Sequence, residues 1–261
     1  MTSEHRDMAT TSLAELVLVR HGESVGNLAA TAAGEKGLPR LDLAYRDADT
    51  PLSDNGIAQA QALGRHLAEA PRETRPEVVL GSPYVRASST MQHAMEGWPE
   101  APRLVHDERL RERDLGLFDG MTGQGIRDTY PEESARREAM GKFYYRPPGG
   151  ESWTDVVLRV RGVLGDARQA YEGQRVWVFS HQAVIMAFRY LLESLSEQEL
   201  LEEDARTPLG NCSLTVYRPS EDGVPTLVTY GAVDHLEPSD AEATHEEPHP
   251  RRAAADAGDR S

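Results

Sequence analysis

Residues 16–19, Leu-Val-Leu-Val, lead straight into Arg20, His21, Gly22 and Glu23, so a short apolar strand delivers a guanidinium and an imidazole side by side. A second run, Val176-Trp177-Val178-Phe179, ends in Ser180 and His181, and a third, Val78-Val79-Leu80, ends in Gly81, Ser82 and Pro83 with Arg86 close behind. A neutral imidazole can attack phosphorus and carry a phosphoryl group, and a guanidinium offers a planar fork of donors matched to phosphoryl oxygens. One strand ending in polar residues is commonplace. Two histidines and two arginines at three strand ends are hard to explain as packing, and their chemistry suits a phosphate ester.

Positioning these groups falls to the elements around them. In open parallel α/β sheets, ligands bind at the carboxyl ends of strands. Strand-like runs occur at 16–19, 77–80, around 103–106, 175–179, 213–217 and 226–230, with helix-like segments between them. Ser53, Asp54 and Asn55 supply cap chemistry for a helix carrying Ile57, Ala60, Leu63, Gly64 and Leu67 on one face. Ser152 can cap another, with Val156, Val157, Val160, Val163 and Leu164 at helical spacing and an end near Gly173. Arg86 falls in the first turns of a helix after Pro83, where free N–H groups add positive partial charge, and an apolar helix over 184–192 follows His181. Such alternation indicates an α/β layered fold. The last two strand-like runs flank Glu221, Asp222 and Gly223, which reads as a hairpin at the sheet edge. Segments 29–51 and 121–150 are long and irregular, and lids or binding loops that overhang the site are expected there.

Composition narrows the function classes. A chain of 261 residues with 39% hydrophobic content supports one domain, placed at 13–236, between a flexible amino terminus over 1–12 and a tail. A formal net charge of -15 argues against general affinity for nucleic acid or an anionic membrane, and makes Arg20 and Arg86 local positive charge in an acidic protein. Cys212 is the only cysteine, so no intramolecular disulfide forms. Asn211-Cys212-Ser213 fits the glycosylation acceptor pattern but is set aside for want of an export signal. The polar start of the chain has no long apolar core, so neither a signal peptide nor a membrane span is expected, and a cytoplasmic protein follows. Beyond Leu236 the composition turns to Glu, Asp, Ala, Pro and Arg, and the acidic tail 237–261 is expected to be disordered. His235, His245 and His249, in or near it, are read as solvated rather than as metal ligands.

Taken in chain order, Arg20-His21-Gly22-Glu23, Ser82-Pro83 with Arg86, Leu110-Arg111-Glu112, Pro147-Pro148-Gly149-Gly150-Glu151-Ser152 and Ser180-His181 resemble the histidine phosphatase superfamily, which includes cofactor-dependent phosphoglycerate mutases and many phosphatases. The resemblance runs from Leu16 to about Tyr230 and leaves out the tail. It implies a phosphoglycerate mutase-like, three-layer α/β/α sandwich with a mostly parallel sheet and an antiparallel edge. It also implies that His21 is the nucleophile, that Arg20, Arg86 and His181 hold the phosphoryl oxygens, and that Glu112 is the proton donor, with Asp114 as the fallback acid. By the same resemblance Asn27 contacts phosphate or substrate; Ser24 is a further candidate, and either residue equally caps the segment that follows. Glu23 is read as structural or as a partner of an arginine. No metal and no cofactor are expected, and the expected partner is a small-molecule phosphomonoester; oligomeric state stays open.

Mutases and phosphatases share the phosphohistidine step, so these residues do not separate them. The mutases carry an aromatic and glycine-rich stretch that residues 28–49 do not show, and a tyrosine three positions beyond the acid, where this chain has Leu115. A phosphomonoester hydrolase is therefore expected, with mutase-type phosphotransfer as the alternative. Arg136 and Arg137 keep that alternative open, since they either grip a carboxylate or form a solvated helix face. A silent member that only binds phosphorylated ligands is the third reading. Phe143, Tyr144, Tyr145 and Arg146 are expected to wall the organic part of the substrate, unless they pack the cap onto the body.

Overall fold

The computed structural model of the chain describes residues 13–96, 98, 101–237 and 241–245. Six strands, β1 (Glu15–Arg20), β2 (Val78–Gly81), β3 (Leu104–His106), β4 (Arg175–Ser180), β5 (Leu214–Pro219) and β6 (Pro225–Ala232), form one sheet in the order β3-β2-β4-β1-β5-β6. Strands β1 to β4 run parallel, while β5 is antiparallel to both β1 and β6. β1, β2 and β4 are covered on both faces, which is why they read as unbroken apolar runs.

Alternate residues of those strands feed two cores. Leu16, Leu18, Leu80, Val176 and Val178 face the core built with α6 (Trp153–Ala170) and α7 (Gln182–Leu192). Val17, Val19, Val79, Trp177 and Phe179 face the other, built with α2 (Asp54–Glu69) and α3 (Val85–Met95). Helices on both sides of a mostly parallel sheet make the three-layer α/β sandwich the sequence implied. Ser53 caps α2 and Ser152 caps α6 through their hydroxyls, as expected.

Segments 29–51 and 121–150 are less irregular than their sequence indicates. Residues up to Glu35 belong to α1 (Val25–Glu35), and the second segment holds α4 (Gly123–Thr129) and α5 (Pro131–Met140). Ala33 is the one buried residue of α1 and none of α5 is buried, so neither helix carries the apolar stripe by which helices are recognised. Their signals are at the ends: a Ser24/Asn27 capping box on α1, and Pro131 at the start and Gly141 (φ 80°) at the end of α5. The two segments join where Arg40 bridges Met121 and the Thr122 hydroxyl donates to Leu38 O.

The expectations for residues 1–12 and 246–261, His249 among them, lie outside the described residues. Residues 241–245, part of the segment expected to be disordered, instead bridge back to Gly210 and hydrogen-bond Asn211. Polar side chains and backbone make that contact, so hydropathy gave no sign of it. His235 is buried beside His66, not solvated, and its imidazole is pushed down to about 4, first by burial and then by His66. No described helix is long and apolar enough to cross a membrane.

Candidate active site

Register brings the predicted residues to one edge of the sheet. Arg20 pairs with Ser180, and Gly81 pairs with Phe179, so His21, Ser82 and His181 leave three adjacent parallel strands at nearly the same level. Arg20, His21, Arg86 and His181 are all buried. The two imidazole rings lie 5.2 Å apart, and Arg86 reaches His21 from the first turn of α3, its Nε–H donating to His21 Nε2 at 3.3 Å. Arg20 donates through Nη1 to Leu209 O.

A hydrogen bond fixes the polarity of His21. Its Nδ1 is 2.7 Å from Gly22 O, a carbonyl that can only accept, so Nδ1 carries the proton and Nε2 keeps its lone pair. His181 Nε2 lies 2.8 Å from Ser82 Oγ, which also accepts from Tyr84 N at 3.2 Å, and His181 Nδ1 has no hydrogen-bond partner among the described residues. Burial, then Arg86 and Arg20, hold His21 well below its ordinary pKa; burial, then Arg86 and His21, do the same for His181. Both rings are neutral at physiological pH.

The turn after His21 is held from several sides. Gly22 N donates to Thr90 Oγ1 at 2.9 Å, Glu23 N to Gln59 Oε1 at 2.8 Å, and His21 O accepts from Cys212 N at 3.0 Å and Asn211 Nδ2 at 3.2 Å. Gly22 is required for closeness rather than for an unusual dihedral, since a Cβ there would lie 2.6 Å from Gly56 O. Sequence reasoning missed Thr90, Gln59 and Asn211 as supports. Asn211 is buried, which removes the glycosylation reading. Glu23 is structural, its carboxylate accepting from Ser53 Oγ at 2.6 Å. Ser24 and Asn27 do cap α1: Asn27 Oδ1 accepts from Ser24 N at 3.0 Å, and the Asn27 amide nitrogen makes no hydrogen bond among the described residues.

Glu112 sits just beyond a 3-10 turn (Glu108–Leu110) that Ser180 Oγ ties to the end of β4 by donating to Leu110 O at 2.7 Å. Arg159 fastens the same stretch, donating to Arg109 O at 2.5 Å and to Glu112 O at 3.2 Å while pairing with Glu151 at 3.0 Å. Glu151 also pairs with Arg111 at 2.6 Å and accepts from Asp114 N at 3.1 Å, while the Asp114 carboxylate accepts from Gly116 N at 2.7 Å within the same loop. Gly116, at φ 54°, lets the loop close, since a Cβ there would lie 2.3 Å from Pro148 O. The Pro147 to Ser152 motif therefore acts as the clasp of the loop that carries Glu112.

The cap contributes one group that the sequence did not reveal. Asp47 pairs with Arg86 at 3.0 Å through its carboxylate, and its backbone O accepts from Arg86 Nη1 at 2.6 Å. Elsewhere the cap shows where residues left with two readings lie. Phe143 is buried in the main core against Tyr190, Tyr145 is buried in the cap's own core, and Tyr144 and Arg146 bond Glu197 and Asp155, so this stretch packs the cap onto the body. Arg136 and Arg137 lie on the exposed surface of α5, Arg136 paired with Glu133 at 3.1 Å. Leu115 packs against the cap core of Phe118, Met121 and Tyr145.

A family model described as the histidine phosphatase superfamily (branch 1) matches residues 16–233. The chain belongs to that superfamily. Its relatives within it span more than one reaction. The human 6-phosphofructo-2-kinase/fructose-2,6-bisphosphatase 3 is 33% identical over 186 residues, 70% of this chain, which spans about a third of that relative (30%). The 2,3-bisphosphoglycerate-dependent phosphoglycerate mutase of Methylobacterium radiotolerans is 32% identical over 196 residues, covering 74% of this chain and 85% of the mutase. Among solved structures, a mycobacterial glucosyl-3-phosphoglycerate phosphatase with inorganic phosphate superposes with a TM-score of 0.63 at 25% identity, covering 84% of this chain and 97% of its own. The putative alpha-ribazole-5'-P phosphatase of Escherichia coli shares the histidine phosphatase fold at a TM-score of 0.68 and 20% identity, over 84% of this chain and 96% of its own.

Proposed function

We propose that the chain is a phosphomonoester hydrolase working through a phosphohistidine on His21. The observation that carries this reading is the convergence of two imidazoles and a guanidinium: a lone pair on His21 Nε2 beside Arg86, with the His181 ring 5.2 Å from the His21 ring. His21 Nε2 attacks phosphorus, the bond from phosphorus to the alcohol oxygen breaks, and Glu112 gives that oxygen a proton. The phosphorylated ring is cationic, and its Nδ1–H bond to Gly22 O steadies it. Glu112, now a carboxylate, takes a proton from water; the hydroxide attacks phosphorus, and inorganic phosphate leaves as Nε2 recovers its lone pair. Arg20, Arg86 and His181 hold the equatorial oxygens through both steps, and Asn27 adds a donor through its amide nitrogen.

Leu115 supports hydrolysis over mutase-type transfer, because a packed aliphatic side chain stands where the mutases carry a tyrosine. A panel of phosphomonoesters, run beside isomerisation of 3-phosphoglycerate, tests the reading. Steady phosphate release from several esters, unaffected by chelator and abolished in His21→Ala, is expected, with acid-labile, base-stable label trapped on His21. Isomerisation far faster than phosphate release would establish the mutase instead, and phosphate binding with neither turnover nor label would establish a silent binder.

A further inference from the structure

Two side chains that support the nucleophile's turn are themselves held by residues 241–245, beyond the 16–233 span that the family model matches. Asn211 N donates to Thr244 O at 2.8 Å, and Gly210 forms an antiparallel bridge with His245. Glu242 exchanges two hydrogen bonds with the Asn55 side chain, at 2.9 and 3.2 Å, and Glu242 O accepts from Gln59 Nε2 at 2.6 Å. These contacts place the Thr244 hydroxyl between two amides, accepting from Gln59 Nε2 at 3.1 Å and donating to Asn211 Oδ1 at 3.1 Å.

The orientation of both amides follows from their other ends. Gln59 must present Oε1 to Glu23 N, a donor, so Nε2 faces Thr244. Asn211 must present Nδ2 to His21 O, an acceptor, so Oδ1 faces Thr244. A group between them has to accept on one side and donate on the other, which a hydroxyl does and an aliphatic side chain does not. Asn211 and Gln59 are buried, so an amide turned the wrong way would leave buried polar groups unpaired.

We infer that Thr244 is a positioning residue for His21: its hydroxyl holds the facing of Asn211 and, together with Glu242 O, that of Gln59, and through them the turn formed by His21, Gly22 and Glu23. The inference rests on His21 being the nucleophile. It makes the segment after the family domain part of the active site's support, so removing that segment loosens the nucleophile without touching the phosphate clamp.

Thr244→Val, Thr244→Ser and a chain ended after Glu237 test this against the full chain with 4-nitrophenyl phosphate. Small errors in reacting geometry cost rate rather than binding, so kcat should fall by about tenfold in Thr244→Val while KM stays within about twofold. Thr244→Ser keeps the hydroxyl and should restore the rate. Hydrogen exchange of backbone amides 20–24 should quicken in Thr244→Val and in the shortened chain, more than exchange elsewhere in the sheet, with the melting temperature of Thr244→Val lowered by no more than about 10 °C. Wild-type kcat and exchange in Thr244→Val, or equal losses in the Val and Ser variants, would overturn the inference. If the shortened chain fails to fold, the Val and Ser pair decides. Should the full chain neither release phosphate nor label His21, the hydrolase reading fails, while the exchange comparison still decides whether Thr244 holds the turn.

Discussion

His21 and His181 are both neutral imidazoles, and the proposed mechanism asks one to give electrons to phosphorus and the other to hold its oxygens. Gly22 O, which only accepts, keeps the proton of His21 on Nδ1, and Ser82 Oγ bonds His181 Nε2. Ser82→Ala removes the partner of His181 Nε2 and frees the ring to turn, so kcat should fall by about tenfold, as for loss of one oriented group at a developing charge. Unchanged kcat and phosphate affinity in that variant would show that Ser82 does not position the His181 ring. Glu112 makes a different demand. An alkoxide leaving group needs its proton and nitrophenolate does not, so Glu112→Gln should lower kcat/KM, which reports the phosphorylation step, by about 100-fold for an alkyl phosphate and far less for 4-nitrophenyl phosphate. Equal losses of kcat/KM for both esters would move the proton-donor role to another group.

At the scale of elements, what could be read in advance depended on burial. β1, β2 and β4 are covered on both faces and announce themselves as apolar runs, and because they are parallel neighbours, reading their ends was enough to find His21, Arg86 and His181. Helices α1 and α5 were invisible because almost nothing on them is buried. The pairing of Asp47 with Arg86 was invisible for another reason: in sequence, Asp47 stands among Arg46 and Asp49 and looks like ordinary solvated charge. Its carboxylate occupies the donors of Arg86 that would hold phosphate oxygens, and so competes with substrate. Asp47→Ala should therefore tighten competitive inhibition by inorganic phosphate, by a few-fold to about tenfold given that the carboxylate is 38% exposed. Weaker inhibition would mean that Asp47 orients Arg86 for substrate.

Across the whole molecule, the residues that escaped sequence reading share a kind of contact. Asn211, Gln59 and Thr244 are joined by amides and a hydroxyl across nearly the full length of the chain, and nothing in hydropathy or spacing marks such bonds. His235 belongs with them, read as solvated and found buried. Together with His21 and His181 it makes three imidazoles that the fold keeps neutral, and this has a consequence for stability. Each has a folded pKa below the ordinary value of 6.5, so as pH falls the unfolded chain takes up protons that the folded chain refuses. Well above that value neither state is charged at these positions and stability is level on their account. As pH falls through it and below, stability is lost at up to about 1.4 kcal/mol per pH unit for each histidine, and for His235 the loss continues down to about pH 4. The carboxylates whose pKa values are lowered by partners, such as Asp107 and Asp155, act only in a more acidic window. Urea unfolding in phosphate-free buffer should show the free energy falling about three times as far between pH 6.5 and 5.5 as between 7.5 and 6.5. His235→Gln cannot be protonated in either state and should reduce the fall between 6.5 and 5.5 by about 1 kcal/mol; an undiminished fall would mean that His235 is solvated, or already charged, in the folded protein.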